Sequence, residues 1–137
     1  MITGSCLCGV VRYEIPRSEG PTYNCHCSRC RKWSGSAFAS SMRAPLESLS
    51  VTAGAEAVSR YESSPGVLRC FCRHCGSSLF TERHDRGVCH IRLGTTDGDP
   101  GVRPEFHAFV SSKALWWEIT DDRPQLEGSS FGWTPAP

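Results

Sequence analysis

At 137 residues the chain is long enough to bury a core of its own and short enough for a single domain. With 39% hydrophobic and 21% charged residues it has a globular balance rather than a disordered one, and a net charge of +1 gives no broad field for nucleic acid or an acidic membrane. Met1 to Gly9 holds no apolar run of signal-peptide length and nothing elsewhere could span a bilayer, so the expectation is a cytoplasmic protein with no membrane and no nucleic-acid partner.

In chain order, short strands are predicted over Val10 to Ile15, Phe38 to Met42, Val58 to Glu62, Val67 to Phe71, Val88 to Leu93, Phe106 to Val110 and Leu115 to Ile119. Turn formers separate them: Pro16, Gly20-Pro21, Gly54, Ser64-Pro65-Gly66 and the run from Asp97 to Gly101. No window keeps a helical apolar period over three turns. Single helical turns fit Ser28 to Trp33, with Ser28 as the cap, and Ser111 to Ala114. No linker interrupts the pattern, so one mostly-β domain over residues 1–126 is expected. A Gly-, Ser- and Pro-rich C-terminal tail, 127–137, is expected to be flexible.

The cysteines are the strongest signal. There are nine, an odd number for a disulfide scaffold, and a cytosolic chain keeps its thiols reduced. All but Cys89 fall in tight groups: Cys6 and Cys8; Cys25, Cys27 and Cys30; Cys70, Cys72 and Cys75. In C-x-C on extended backbone both side chains take one face, and in C-x-x-C a tight turn brings both sulfurs onto one ion. Gly76 after Cys75 gives such a turn its backbone freedom. These are zinc spacings and match no common iron–sulfur pattern. Spacing leaves the pairing open, because Cys6 and Cys8 could join either triplet and the other triplet would then be one ligand short. A three-thiolate site keeps a coordination position for water or substrate, whereas a closed Cys₄ site is structural. Cys70 or Cys89 could also complete the second site.

Three stretches then carry a resemblance: Gly4-Ser5-Cys6-Leu7-Cys8-Gly9-Val10-Val11-Arg12-Tyr13; Cys25-His26-Cys27-Ser28-Arg29-Cys30-Arg31-Lys32 with Gly35 to Phe38; and Arg69-Cys70-Phe71-Cys72-Arg73-His74-Cys75-Gly76-Ser77-Ser78-Leu79. Together with Leu93 to Asp97, Pro104 to Val110 and Lys113 to Trp116, they resemble the glutathione-dependent formaldehyde-activating enzyme family, which includes the domain of centromere protein V. The resemblance reaches to about Leu126. It implies a β-tent of short antiparallel sheets stapled by zinc–cysteine sites, with two zinc ions per chain. Cys6, Cys8, Cys72 and Cys75 would hold a structural zinc, and Cys25, Cys27 and Cys30 a catalytic one. The implied activity is that of a carbon–sulfur lyase, S-(hydroxymethyl)glutathione synthase, joining formaldehyde to glutathione. A cysteine at position 70 is not a usual feature of the family and reads as a buried inert thiol; Cys89 reads as core.

On this reading the partner is a small-molecule thiol, glutathione. Its carboxylates would be clamped by Arg29, Arg31 and Lys32 beside the catalytic cluster, with Arg73 beside the other. Trp33 and Phe38 would line or support the pocket, and Trp116 and Trp117 would pack the core or its edge. His26, His74, His107 and Glu105 are the candidates for a general acid. The alternatives are a related lyase on another thiol adduct, or a non-catalytic zinc module binding protein or nucleic acid, although no basic stripe or recognition helix is present.

Overall fold

The computed structural model of the protein describes Met1–Trp133. Its elements in chain order are β1 (Ile2–Ser5), β2 (Arg12–Ile15), β3 (Thr22–Cys25), the helix α1 (Ser28–Ser34), β4 (Ala39–Pro45), β5 (Ser50–Ala53), β6 (Val58–Ser64), β7 (Val67–Cys72), β8 (Ser78–Arg83), β9 (Val88–Arg92) and β10 (Phe106–Ala108), with single 3-10 turns between them. The fold is mostly β, built from small sheets with one helix, as expected from the run of short strand signals.

The chain forms two compact units. The first takes Met1–Gly20 and Met42–Val102, the second Pro21–Ser41 and the residues from Arg103 onward, and β4 carries the chain from one into the other. In the first unit β1, β2 and β5 pair antiparallel in that order. Beside this small sheet runs an antiparallel meander, β6 to β9. The β6–β7 hairpin turns at Pro65-Gly66, with Ser64 opposite Val67, the pairing that a Pro-Gly turn favours. Tyr13, Ile15, Met42, Leu79, Phe80 and Ile91 fill the core between these strands, each at most 1% exposed. Burying one such side chain contributes about 1.5–3 kcal/mol.

The second unit has a core of its own around Tyr23, Cys25, Cys30, Ala39, Phe106 and Ala108. Here β3 and β10 pair in parallel, with Phe106 opposite Tyr23, His107 opposite Asn24 and Ala108 opposite Cys25. Every residue of both strands is buried, the usual state of parallel pairs. The segment after Asp121 runs along the free side of β10: His107 N–H donates to the Pro124 carbonyl and Leu126 N–H to that of His107, each at 2.8 Å. Of the segment expected as a tail, Ser130 is buried and Trp133 stacks on Phe106 at 4.7 Å. Residues 134–137 of that segment lie outside the described residues.

Two expectations need correction. Leu115 to Ile119 is not a strand. Lys113 Nζ donates to the Ala114 and Trp117 carbonyls, which closes the backbone into a turn and satisfies groups that a ladder would otherwise take. Trp116 is accordingly 71% exposed instead of packed in a core, and Trp117, 40% exposed, meets Phe38 edge-on. The helix caps one residue earlier than expected: Cys27 is the N-cap, its Sγ accepting from Cys30 N–H at 3.3 Å, and Ser28 is the first helical residue. No helix of the described residues is long and apolar enough to cross a membrane.

Candidate metal centres and their surroundings

In the first unit, Cys6, Cys8, Cys72 and Cys75 place their sulfurs within 4.8 Å of one another. Cys6 and Cys8 sit on a turn and not on a strand face: Gly9 N–H donates to the Cys6 carbonyl at 3.0 Å. Cys72 ends β7, and Gly76 N–H closes the matching turn on its carbonyl at 2.8 Å. Gly9 and Gly76 have φ of 79° and 77°, a left-handed conformation that a side chain would strain. Two glycine-ended knuckles therefore aim four sulfurs at one point. Leu7 N–H donating to Ser77 Oγ at 2.9 Å holds them together.

The donor set fits zinc. A tetrahedron with bonds of about 2.3 Å has edges of about 3.8 Å, and the Cys8–Cys72 and Cys6–Cys8 sulfur pairs stand 3.8 and 3.5 Å apart. The thiols titrate far apart. Hydrogen bonds from the Ser77 hydroxyl and backbone bring Cys75 down to about 5. For Cys8 a hydrogen bond from the Val10 backbone is outweighed by desolvation and by the Cys6, Cys75 and Cys72 thiols, which push it up to about 11. Four clustered sulfurs cannot all ionise by themselves, and a cation in their midst removes that obstacle.

The second cluster lies wholly in the second unit. Cys25 ends β3, Cys27 caps α1 and Cys30 is in its first turn, with their sulfurs within 4.8 Å. The β3–β10 pairing fixes the first, and the helix start fixes the other two, with Cys30 N–H donating to Cys27 Sγ. Hydrogen bonds with Cys27 and Cys30, followed by burial, push the Cys25 thiol far above the usual range. Among the described residues this cluster offers three sulfurs and no fourth side-chain ligand. Neither Cys70 nor Cys89 joins a cluster. Cys70 Sγ donates to the Leu68 carbonyl at 3.6 Å and Cys89 Sγ to that of Pro45 at 3.8 Å, and both lie in the first unit's core at 0% exposure. Burial pushes each up to about 12, the behaviour of an inert thiol. No cysteine among the described residues is in a disulfide.

Around the second cluster, Arg29 and Lys32 are exposed on α1, while Arg31 and Trp33 are half-buried. Arg31 Nε donates to the His26 carbonyl at 3.2 Å. His26 itself is fully buried. Its N–H extends the ladder to Ala108 O at 2.9 Å, Phe38 lies against its ring at 5.0 Å, and its Nε2 meets His107 Nδ1 at 2.8 Å. His107 Nε2 in turn reaches Asp121, at 3.1 and 3.0 Å from its two oxygens. Burial first, then the charges of His107, Lys113 and Arg31, lower His26 to about 4, which leaves it neutral at physiological pH. Hydrogen bonds from His107 and the Arg123 backbone hold Asp121 below the usual carboxylate range. The other ring atom of His26, Nδ1, is buried with no protein partner, a condition that costs about 1–3 kcal/mol unless something fills it.

Asp121 escaped the sequence reading, and only a histidine whose second nitrogen needs an acceptor would have called for it. Glu105 takes no part in this chain: its Oε1 accepts from Thr22 N–H at 3.1 Å. His74 sits on the knuckle between Cys72 and Cys75 and is exposed.

Residues 1–112 match the family described as glutathione-dependent formaldehyde-activating enzyme. A Halomonas elongata protein provisionally given that name is 35% identical over 130 residues, covering 87% of this chain and 81% of its own length. One from Phaeosphaeria nodorum, named in the same way, is 31% identical over 113 residues, or 78% of this chain and 60% of its own. An uncharacterized lyase of Schizosaccharomyces pombe is 34% identical over 77 residues, 56% of this chain and 54% of its own. The chain spans about 60% of the length of the first fungal relatives. A crystal structure of a Rhodobacter sphaeroides protein superposes with a TM-score of 0.62 at 29% identity, covering 74% of this chain and 91% of that one. The chain belongs to the glutathione-dependent formaldehyde-activating enzyme family.

Proposed function

We propose that the protein is a zinc-dependent carbon–sulfur lyase that joins formaldehyde to glutathione as S-(hydroxymethyl)glutathione at the Cys25–Cys27–Cys30 cluster. The observation that carries this reading is the inequality of the two clusters: four sulfurs in one and three in the other. Four thiolates complete a tetrahedron, so Cys6, Cys8, Cys72 and Cys75 would hold a structural ion within a domain of residues 1–126. Zinc held by three thiolates keeps a position for an incoming thiol and favours its thiolate form near neutral pH.

The protein's own side chains then hold and orient the substrate. The exposed Arg29 and Lys32 lie on the helix that supplies Cys27 and Cys30, placed to pair with the two carboxylates of glutathione. Arg31 is partly committed to the His26 carbonyl and braces the loop. In the reaction a sulfur–carbon bond forms as the aldehyde π pair moves to oxygen, and the proton released by the thiol ends on that oxygen. Proximity supplies most of the acceleration for such an addition.

The experiment is elemental analysis of purified protein together with a stopped-flow assay of adduct formation. We expect two zinc ions per chain and a rate of formation above the uncatalysed one that is lost on chelation. One ion per fully loaded chain, or an unchanged rate, would overturn the reading.

A further inference from the structure

We propose that β6, the outermost strand of the first unit, pairs antiparallel with β6 of a second copy of the chain about a two-fold axis through Tyr61, joining two molecules edge to edge. This pairing does not depend on the activity proposed above.

β6 ends its sheet, with β7 on one side and no strand on the other. Two other outer strands have their free sides taken: Asp97 N–H donates to the Thr3 carbonyl of β1, and Leu126 N–H to the His107 carbonyl of β10, each at 2.8 Å. Among the described residues no backbone hydrogen bond outside the β6–β7 ladder reaches Ser59–Ser63. The centre of the strand, Arg60, Tyr61 and Glu62, is exposed, with Tyr61 at 63%. Alternate backbone N–H and C=O groups of an edge strand point away from its neighbour and can pair with another chain.

Two constraints set the register. In antiparallel pairing each residue faces one whose backbone groups point the same way, so a strand that meets its own copy has its two-fold axis through a residue. An axis through Arg60 sets Arg60 against itself, and one through Glu62 sets Glu62 against itself; like charges directly opposite are unfavourable. An axis through Ser59 runs the pairing into the 3-10 turn at Ala55–Ala57. The axis through Tyr61 instead sets Arg60 opposite Glu62 twice and Tyr61 opposite Tyr61. Arg60 is already held in place for this: Glu82 Oε1 accepts from its Nε at 3.1 Å and pairs with a terminal nitrogen at 3.0 Å, and 43% of the side chain stays exposed. Glu62 has no ion pair among the described residues. Charges on an edge strand ordinarily keep other strands away. Opposite signs two residues apart admit the chain's own copy, and in one register. The ladder shifts between Glu62 and Ser64, which ends the regular edge there. The contact is therefore short and the dimer weak, below the size of a standard interface.

The test is sedimentation velocity of the zinc-loaded protein, read beside backbone hydrogen exchange at low and high concentration. Wild type should pass from monomer to dimer below about 1 mM, and alternate amides of Ser59–Ser63 should gain protection as it does. Glu62→Lys sets a lysine against Arg60 at both crossings and should weaken the dimer about tenfold or more. Its melting temperature and zinc content should be unchanged, because Glu62 is exposed on an outer strand. Glu62→Gln, which removes the charge without reversing it, should fall between the two. A wild type that stays monomeric to about 1 mM would overturn the proposal and leave the edge to a strand of another protein. A dimer whose β6 amides exchange as they do in the monomer would overturn it in favour of a different face. A folded Glu62→Lys protein that dimerises as tightly as wild type would overturn the register and the pairing with it.

Discussion

Cys72→Ser is expected to yield a protein that either fails to fold or melts roughly 10 °C or more below wild type. Cys72 is fully buried at the end of β7 and belongs to the four-sulfur cluster. That cluster joins the Cys6–Gly9 turn to the Cys72–Gly76 turn, far apart in sequence and held otherwise by contacts such as Leu7 to Ser77. Structural zinc has an apparent binding free energy of about 10–16 kcal/mol. A domain's whole stability is about 5–15 kcal/mol, so even part of that loss is decisive. Thermal melts with and without added zinc measure it: the variant should be destabilised, and excess metal should not restore it fully.

Cys27→Ser should behave in the opposite way, folding with a melting temperature within a few degrees of wild type and losing roughly 100-fold or more in rate. Serine is among the best N-cap residues, so the helix start that Cys27 provides survives the exchange. What disappears is one of three thiolates. Changes to groups that merely support a metal ligand already cost about 10–100-fold, and removing a ligand should cost at least as much. Equal destabilisation of the Cys27 and Cys72 variants would contradict the division of labour between the clusters.

The clusters were legible because metal ligation imposes short, regular spacings on the chain. The long-range grouping of Cys6 and Cys8 with Cys72 and Cys75 was not: spacing allowed either triplet, and the family resemblance chose between them. Strands with runs of apolar or β-branched residues, such as Val67–Cys72 and Val88–Arg92, could be read directly. Four others, Ile2–Ser5, Thr22–Cys25, Ser50–Ala53 and Ser78–Arg83, could not. Ile2–Ser5, Thr22–Cys25 and Ser50–Ala53 become strands because a partner completes their ladder, and tertiary pairing outweighs local propensity. The Leu115–Ile119 segment shows the reverse case: its aromatic and β-branched residues suggest a strand, but one lysine bonding two carbonyls decides otherwise. Asp121 lies 14 residues from His107, and His107 lies 81 from His26, so no local pattern links the three.

The three-sulfur cluster as an acceptor of thiol is tested most directly by cobalt substitution. Cobalt-loaded protein should show sulfur-to-metal absorption, with the four-sulfur cluster as constant background. Glutathione should increase that band saturably, because a further thiolate enters the three-sulfur site and its proton passes to buffer. S-methylglutathione, which keeps both carboxylates but has no ionisable thiol, should leave the band unchanged. A spectrum indifferent to glutathione at every concentration would mean that both clusters are closed and that neither receives substrate.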